Sequence, residues 1–216
     1  MQLNTFKYTH EATDYLTLRD PELGKAIKRI GIIERGVMPD LFKGLMSSII
    51  AQQISAKAAE TVWGRFEKLA GDNVTPDSVY KLDVEAIQKQ GMSMRKASYL
   101  KEIARRVHDG ELDLEALAHL SDQEIIRQLK ALPGIGIWTA EMLMIFSLQR
   151  PDILSWDDLA IRRGMMNLYG LESLDRSTFE EARMRYSPYG SVASLYLWAL
   201  SHIPYEKPDD RHMDKK

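Results

Sequence analysis

Apolar positions along this chain recur with helical spacing and nowhere alternate as a strand would. The clearest stretch is SDQEIIRQLKALPGIGIWTAEMLMIFSLQR, residues 121–150, where Ile125, Leu129 and Leu132 fall at roughly one-turn intervals. Ser121 followed by Glu124 has the form of a capping box and predicts the helix start. Leu132-Pro133-Gly134-Ile135-Gly136 must end that helix, because proline disfavours a helical residue before it and glycine allows backbone angles that a side chain forbids. A second helix is predicted from near Trp138 through Thr139, Ala140, Leu143, Met144 and Ile145, so that residues 121–148 read as helix, tight hairpin, helix.

The same reading extends in both directions. Residues 1–10 are polar and without clear pattern, whereas Asp20, Pro21 and Gly31 punctuate a helix as N-cap, first position and stop. From Asp40 to about Ala70 the chain reads as one long or slightly bent helix, with Leu41, Leu45, Ile49, Ala56, Val62 and Phe66 among its core positions. Thr75-Pro76 and Asp83 start two short helices, and Gly91 ends the second. Ser93 caps a helix closed by Gly110, and a short one follows at residues 114–120. Asp157 or Asp158 caps LAIRRGMMNLYG, which Gly170 ends. Ser177 with Glu180 makes a second capping box, and Pro188 opens SVASLYLWALSHI. A charged, frayed tail is expected from about residue 205. The fold class is therefore all-α.

Composition narrows the function classes. With 216 residues, 44% hydrophobic and 28% charged, the chain can bury a core in one compact unit or two joined lobes. No apolar run approaches the roughly 20 residues that span a bilayer, and the polar start lacks a secretory pattern, so a cytoplasmic or nucleoid-associated protein with no membrane contact is expected. Cysteine is absent, which excludes disulfides, a catalytic thiol, and any cysteine-ligated zinc or iron–sulfur cluster. The five histidines lack ligand spacing. A net charge of −2 carries no domain-wide basic footprint, so any attraction to nucleic acid must come from a local face.

Several residues invite two readings. The amides of Gly134, Gly136 and their successors open a helix and suit an anion such as DNA phosphate, or they form a turn that holds nothing. This is not a dinucleotide fingerprint, since Thr139 stands where a third glycine would. Gln52 and Gln53 interrupt an apolar helix centre and by composition lie on a wet face. Arg95, Lys96, Lys101, Arg105 and Arg106 read as a solvated face. Asp158 is a helix cap, a chemical group, or both.

LPGIGIWTA followed by DDLAIRRGM resembles the helix-hairpin-helix DNA glycosylases, and within them the alkylation-repair type, the 3-methyladenine DNA glycosylase II family. The RDP opening, IIAQQIS and GMSMRKASYL are similar to segments of that family too. The resemblance implies a two-lobed helical fold: residues 36–150 as a central lobe carrying the hairpin motif, and residues 1–35 packed with residues 151–216 as the other. It implies a monomer acting on double-stranded DNA that contains alkylated bases, excising N3- or N7-methylated purines in base excision repair. Asp158 would stabilise the sugar cation and orient water, while Gly134, Ile135, Gly136 and Thr139 grip phosphate. Gln53 would fill the gap left by the extruded nucleotide, with Gln52 beside it and Arg95 and Lys96 on phosphate. Trp138 and Tyr189 would line the base pocket, with Met142 where some relatives have tyrosine, and Trp156 as a further lining residue.

Trp138 also stands where lyase members carry their nucleophilic lysine, which implies a monofunctional hydrolase. No cofactor is implied beyond a structural sodium or potassium ion held by the carbonyls of Lys130, Leu132 and Ile135. One departure is Ser155-Trp156, where the family often has a proline. Two other readings remain: a glycosylase for oxidised or mismatched bases, and a helix-hairpin-helix DNA-binding protein without catalysis.

Overall fold

The computed structural model describes residues 4–202, and the predicted tail lies outside them. Among the described residues there are thirteen helices and no strand. The chain begins with α1 (His10–Arg19) and α2 (Pro21–Ile30). Eight follow: α3 (Leu41–Ala51), α4 (Ala56–Leu69), α5 (Pro76–Tyr80), α6 (Val84–Gln88), α7 (Met94–His108), α8 (Leu114–Ala118), α9 (Asp122–Lys130) and α10 (Ile137–Phe146). Last come α11 (Leu159–Tyr169), α12 (Arg176–Tyr186) and α13 (Gly190–Leu200). None is long and apolar enough to cross a membrane.

Two compact units result. The first takes in Gly36–Gln149 and hence α3 to α10; the second combines Thr5–Arg35 with the described residues from Arg150 onward. In the first unit, Leu45, Met46, Ile49 and Ile50 of α3, Phe66 of α4, Leu100 and Ile103 of α7, Ile125 and Leu129 of α9, and Leu143 to Ile145 of α10 are buried. In the second, Leu16, Leu23, Tyr186 and Tyr196 are buried. Asp20 caps α2 by accepting the Leu23 amide, and Pro21 occupies the first position as its fixed φ suits.

Four expectations need correction. The predicted helix from Asp40 to Ala70 is two helices, because Gln53 takes a positive φ of 59° and Ser55 then caps α4 through the Ala58 amide. Ala56, counted toward the core, consequently opens α4 on the surface. The second capping box is absent: Asp175 caps α12 by accepting the Thr178 amide, so Ser177 is already inside the helix. Only half of the first box forms. Ser121 accepts the Glu124 amide, but the Glu124 carboxylate turns to Arg127 and Gln128. Helix α1 has no counterpart among the expected elements: it buries only Ala12, Thr13 and Leu16 and so shows little apolar pattern.

Candidate functional site

The hairpin between α9 and α10 is built by conformational necessity. Gly134 takes a φ of 81°, and a Cβ there would come within 2.6 Å of the Tyr99 ring of α7, so no other residue fits. Leu132 and Ile135 turn inward and anchor the turn. Gly136 is the N-cap of α10 and has no side chain with which to cap it. Trp138, in the first turn, is 45% exposed, with Ile137 beside it also exposed. Met142 is half-buried one turn further on. Thr139, assigned to DNA contact, has a buried side chain at 7% exposure, so its hydroxyl is withdrawn from the exposed face.

The loop between α3 and α4 is tied to this hairpin within the first unit. The Gln52 side-chain amide donates to the Gly134 carbonyl at 2.8 Å. Gln53 itself is exposed. Lys96, assigned to phosphate, is engaged elsewhere: its Nζ donates to the carbonyls of Ile50 at 2.9 Å and Gln52 at 2.6 Å. Burial lowers its pKa. The ammonium thus satisfies orphan carbonyls at the end of α3, and its neighbour Arg95 is exposed. Sequence gave no sign of this role, because a lysine in a basic run reads as a solvated charge.

In the second unit, Asp158 heads α11 with 7% exposure. Its Oδ1 accepts the amides of Ala160 at 2.9 Å and Ile161 at 3.0 Å, so it is the cap of that helix, while Asp157 is exposed. The approach to Asp158 is fastened to the start of α13. Ser191 Oγ donates to the Arg150 carbonyl at 2.6 Å and accepts the Ile153 amide at 3.0 Å. Ser194 Oγ donates to the Ile153 carbonyl at 3.0 Å, and the Ser191 amide donates to the Pro151 carbonyl at 2.9 Å. Asp152 accepts from the Gly190 amide at 3.0 Å and the Ser187 hydroxyl at 2.6 Å. These polar groups were missed in sequence, although two serines three apart in the apolar run SVASLYLW are the kind of buried hydroxyl that needs a partner.

Trp156 does not offer a ring face to a base. Phe179 meets it edge-on at 5.1 Å, and the guanidiniums of Arg162 and Arg176 lie 4.9 and 5.1 Å from its centroid, so it is a packing residue. Tyr189 leans edge-on against Tyr15 at 5.3 Å, with its pKa raised by desolvation and by Glu11. Among the described residues no cluster of histidine, aspartate and glutamate can hold a metal ion.

Comparison with known proteins accords with this arrangement. DNA-3-methyladenine glycosylase 1 of Schizosaccharomyces pombe is 34% identical over 172 residues, covering 77% of this chain and 75% of that protein. A DNA-3-methyladenine glycosidase from Bacillus halodurans superposes with a TM-score of 0.83 at 34% identity, covering 94% of both chains. The Schizosaccharomyces pombe 3-methyladenine DNA glycosylase Mag1, solved in complex with abasic DNA, superposes with a TM-score of 0.78 at 29% identity, covering 92% of this chain and 100% of that one. The profile of the HhH-GPD superfamily matches residues 46–188, a span that takes in both the hairpin and Asp158. A hairpin whose glycine admits no side chain, followed by an aspartate bound into a helix start, thus has the family's sequence around it, and the chain belongs to the HhH-GPD superfamily of base excision DNA repair proteins.

Proposed function

We propose that this protein is a monofunctional DNA glycosylase that releases purines methylated at N3 or N7 from double-stranded DNA and leaves an abasic site. The observation that carries the reading is Asp158: a carboxylate set at a helix start by two amides, on a segment bolted to α13 through Ser191, Ser194 and Asp152. As the bond from C1′ to the base breaks, positive charge gathers on the sugar. A fixed carboxylate beside C1′ stabilises that charge and orients the attacking water without reorganising. Methylation at these ring nitrogens makes the base a cationic leaving group, which also favours an aromatic face. Trp138 and Tyr189 are the aromatic groups we assign to base recognition, with Met142 beside the former.

The hairpin amides serve as the phosphate anchor, and Arg95 adds charge. Trp138 cannot form an imine, so the strand is left intact. At the hairpin, the carbonyls of Lys130, Leu132 and Ile135 would hold a sodium or potassium ion, whose charge would reinforce the grip on phosphate. Neutral main-chain oxygens suit such an ion. The Leu132 carbonyl accepts a 3.3 Å bond from the Ile135 amide, and a carbonyl oxygen has two lone pairs. The protein acts as a monomer, in the compartment that holds the DNA.

Single-turnover base release from methylated duplex DNA tests the reading, with native protein compared to Asp158→Asn and strand breaks scored before and after alkali. Release that depends on Asp158, with breaks only after alkali, is expected. Tight DNA binding with no release from any lesion would favour the non-catalytic reading, in which Asp158 is a cap and nothing more.

A further inference from the structure

Gln53 is a non-glycine residue in the left-handed region, with a φ of 59°. Such a conformation is unfavourable for a residue with a side chain and persists only where its surroundings impose it. The surroundings here are specific. Lys96 Nζ binds the carbonyls of Ile50 and Gln52, the latter belonging to the peptide bond that leads into Gln53. The Gln52 amide then reaches the Gly134 carbonyl. Gly134 in turn lies against the ring of Tyr99, and Tyr99 stands three residues after Lys96 on the same face of α7. The circuit is closed: α7 supports the loop through Lys96 and the hairpin through Tyr99, and Gln52 joins the two.

We propose that Lys96, Gln52 and Tyr99 form a brace that holds exposed Gln53 in fixed register with the hairpin turn, so that the gap-filling side chain and the phosphate anchor meet damaged DNA as one preformed body. They are positioning residues and touch neither base nor sugar. The proposal rests on the reading above in which Gln53 fills the gap and the hairpin grips phosphate. A preformed loop avoids an ordering cost that would otherwise weaken binding to a duplex with an extruded nucleotide. Undamaged duplex, which offers no gap, gains nothing from it.

The test is the Kd for an abasic duplex and for the matched undamaged duplex, with thermal denaturation as the check on folding. Lys96→Met and Gln52→Leu should each weaken abasic binding about tenfold, the size of one lost hydrogen bond to a charged or buried group, and change undamaged binding by less than about twofold. Lys96→Arg, which can reach both carbonyls, should restore the abasic Kd. Gln53→Ala should weaken abasic binding, and adding Lys96→Met to it should cost little more. Equal losses on both duplexes, or full additivity with Gln53→Ala, would overturn the brace. Weakening by Gln53→Ala without any effect of Lys96→Met or Gln52→Leu would overturn the brace alone. No effect of Gln53→Ala would remove the gap-filling role and the brace with it. Should Lys96→Met fail to fold, Gln52→Leu and Lys96→Arg decide the matter.

Discussion

Gly164 of α11 packs directly against the main chain of Leu197 in α13: a Cβ at Gly164 would overlap the Leu197 carbonyl oxygen and lie 2.7 Å from its carbonyl carbon. The two helices meet backbone to backbone, and α11 is the helix that Asp158 begins. Gly164→Ala must therefore push the helices apart. Overpacking of this kind costs about 1–3 kcal/mol, which urea denaturation would read as a lowered midpoint. An unchanged midpoint would mean that α11 slides freely on α13.

The two roles of Asp158 separate by substitution. Asparagine keeps an acceptor for the Ala160 and Ile161 amides, so Asp158→Asn should hold stability within about 0.5 kcal/mol, whereas Asp158→Ala should lose about 1 kcal/mol of cap. Both should slow base release by at least about a hundredfold, since neither supplies a carboxylate. If Asp158→Asn lost stability and activity in parallel, the residue would be structural.

Alkaline pH should weaken the second unit. Tyr169 donates to the buried Asp20 carboxylate, pairs with the Tyr186 hydroxyl at 2.5 Å and accepts from Arg185 Nη2 at 3.1 Å. Burial, joined by Asp20, pushes its pKa up to about 12. The folded state therefore keeps a proton that the unfolded chain releases near pH 10, so stability is full below that pH and falls as pH rises toward 12. The slope is about 1.4 kcal/mol per pH unit per proton retained. Tyr186 and Tyr196 are raised in the same direction by burial and add to it. Tyr169→Phe should flatten the decline measured by denaturation between pH 10 and 12, and an unaltered slope would place the titration elsewhere.

Trp138 should discriminate by charge. Trp138→Ala should slow release of cationic methylated purines by about threefold to thirtyfold, the range of one cation–π contact, with little change for a neutral lesion base. Equal slowing of cationic and neutral bases would indicate that the ring contributes shape alone.

Local signals were legible from residue order because their physics is local. Asp20-Pro21, Gly31 and Gly170 mark helix ends by cap chemistry and allowed φ, and they do so in the structure. The hairpin glycines and the helix beginning at Asp158 were readable for the same reason. The break between α3 and α4 was not, because Gln53 is held left-handed by Lys96, which lies some forty residues away, and no neighbour in sequence predicts it.

Sequence by itself determined the helical class, the hairpin and the aspartate, since periodicity, glycine conformation and cap chemistry act over a few residues. Tertiary structure alone decided what the polar side chains away from helix ends and turns do. Lys96 became a helix-end donor, Thr139 was buried, Trp156 was covered by two guanidiniums, and Ser191 and Ser194 came to fasten the Asp158 segment. A polar group brought out of water must find a partner, and which partner is within reach depends on how distant segments pack.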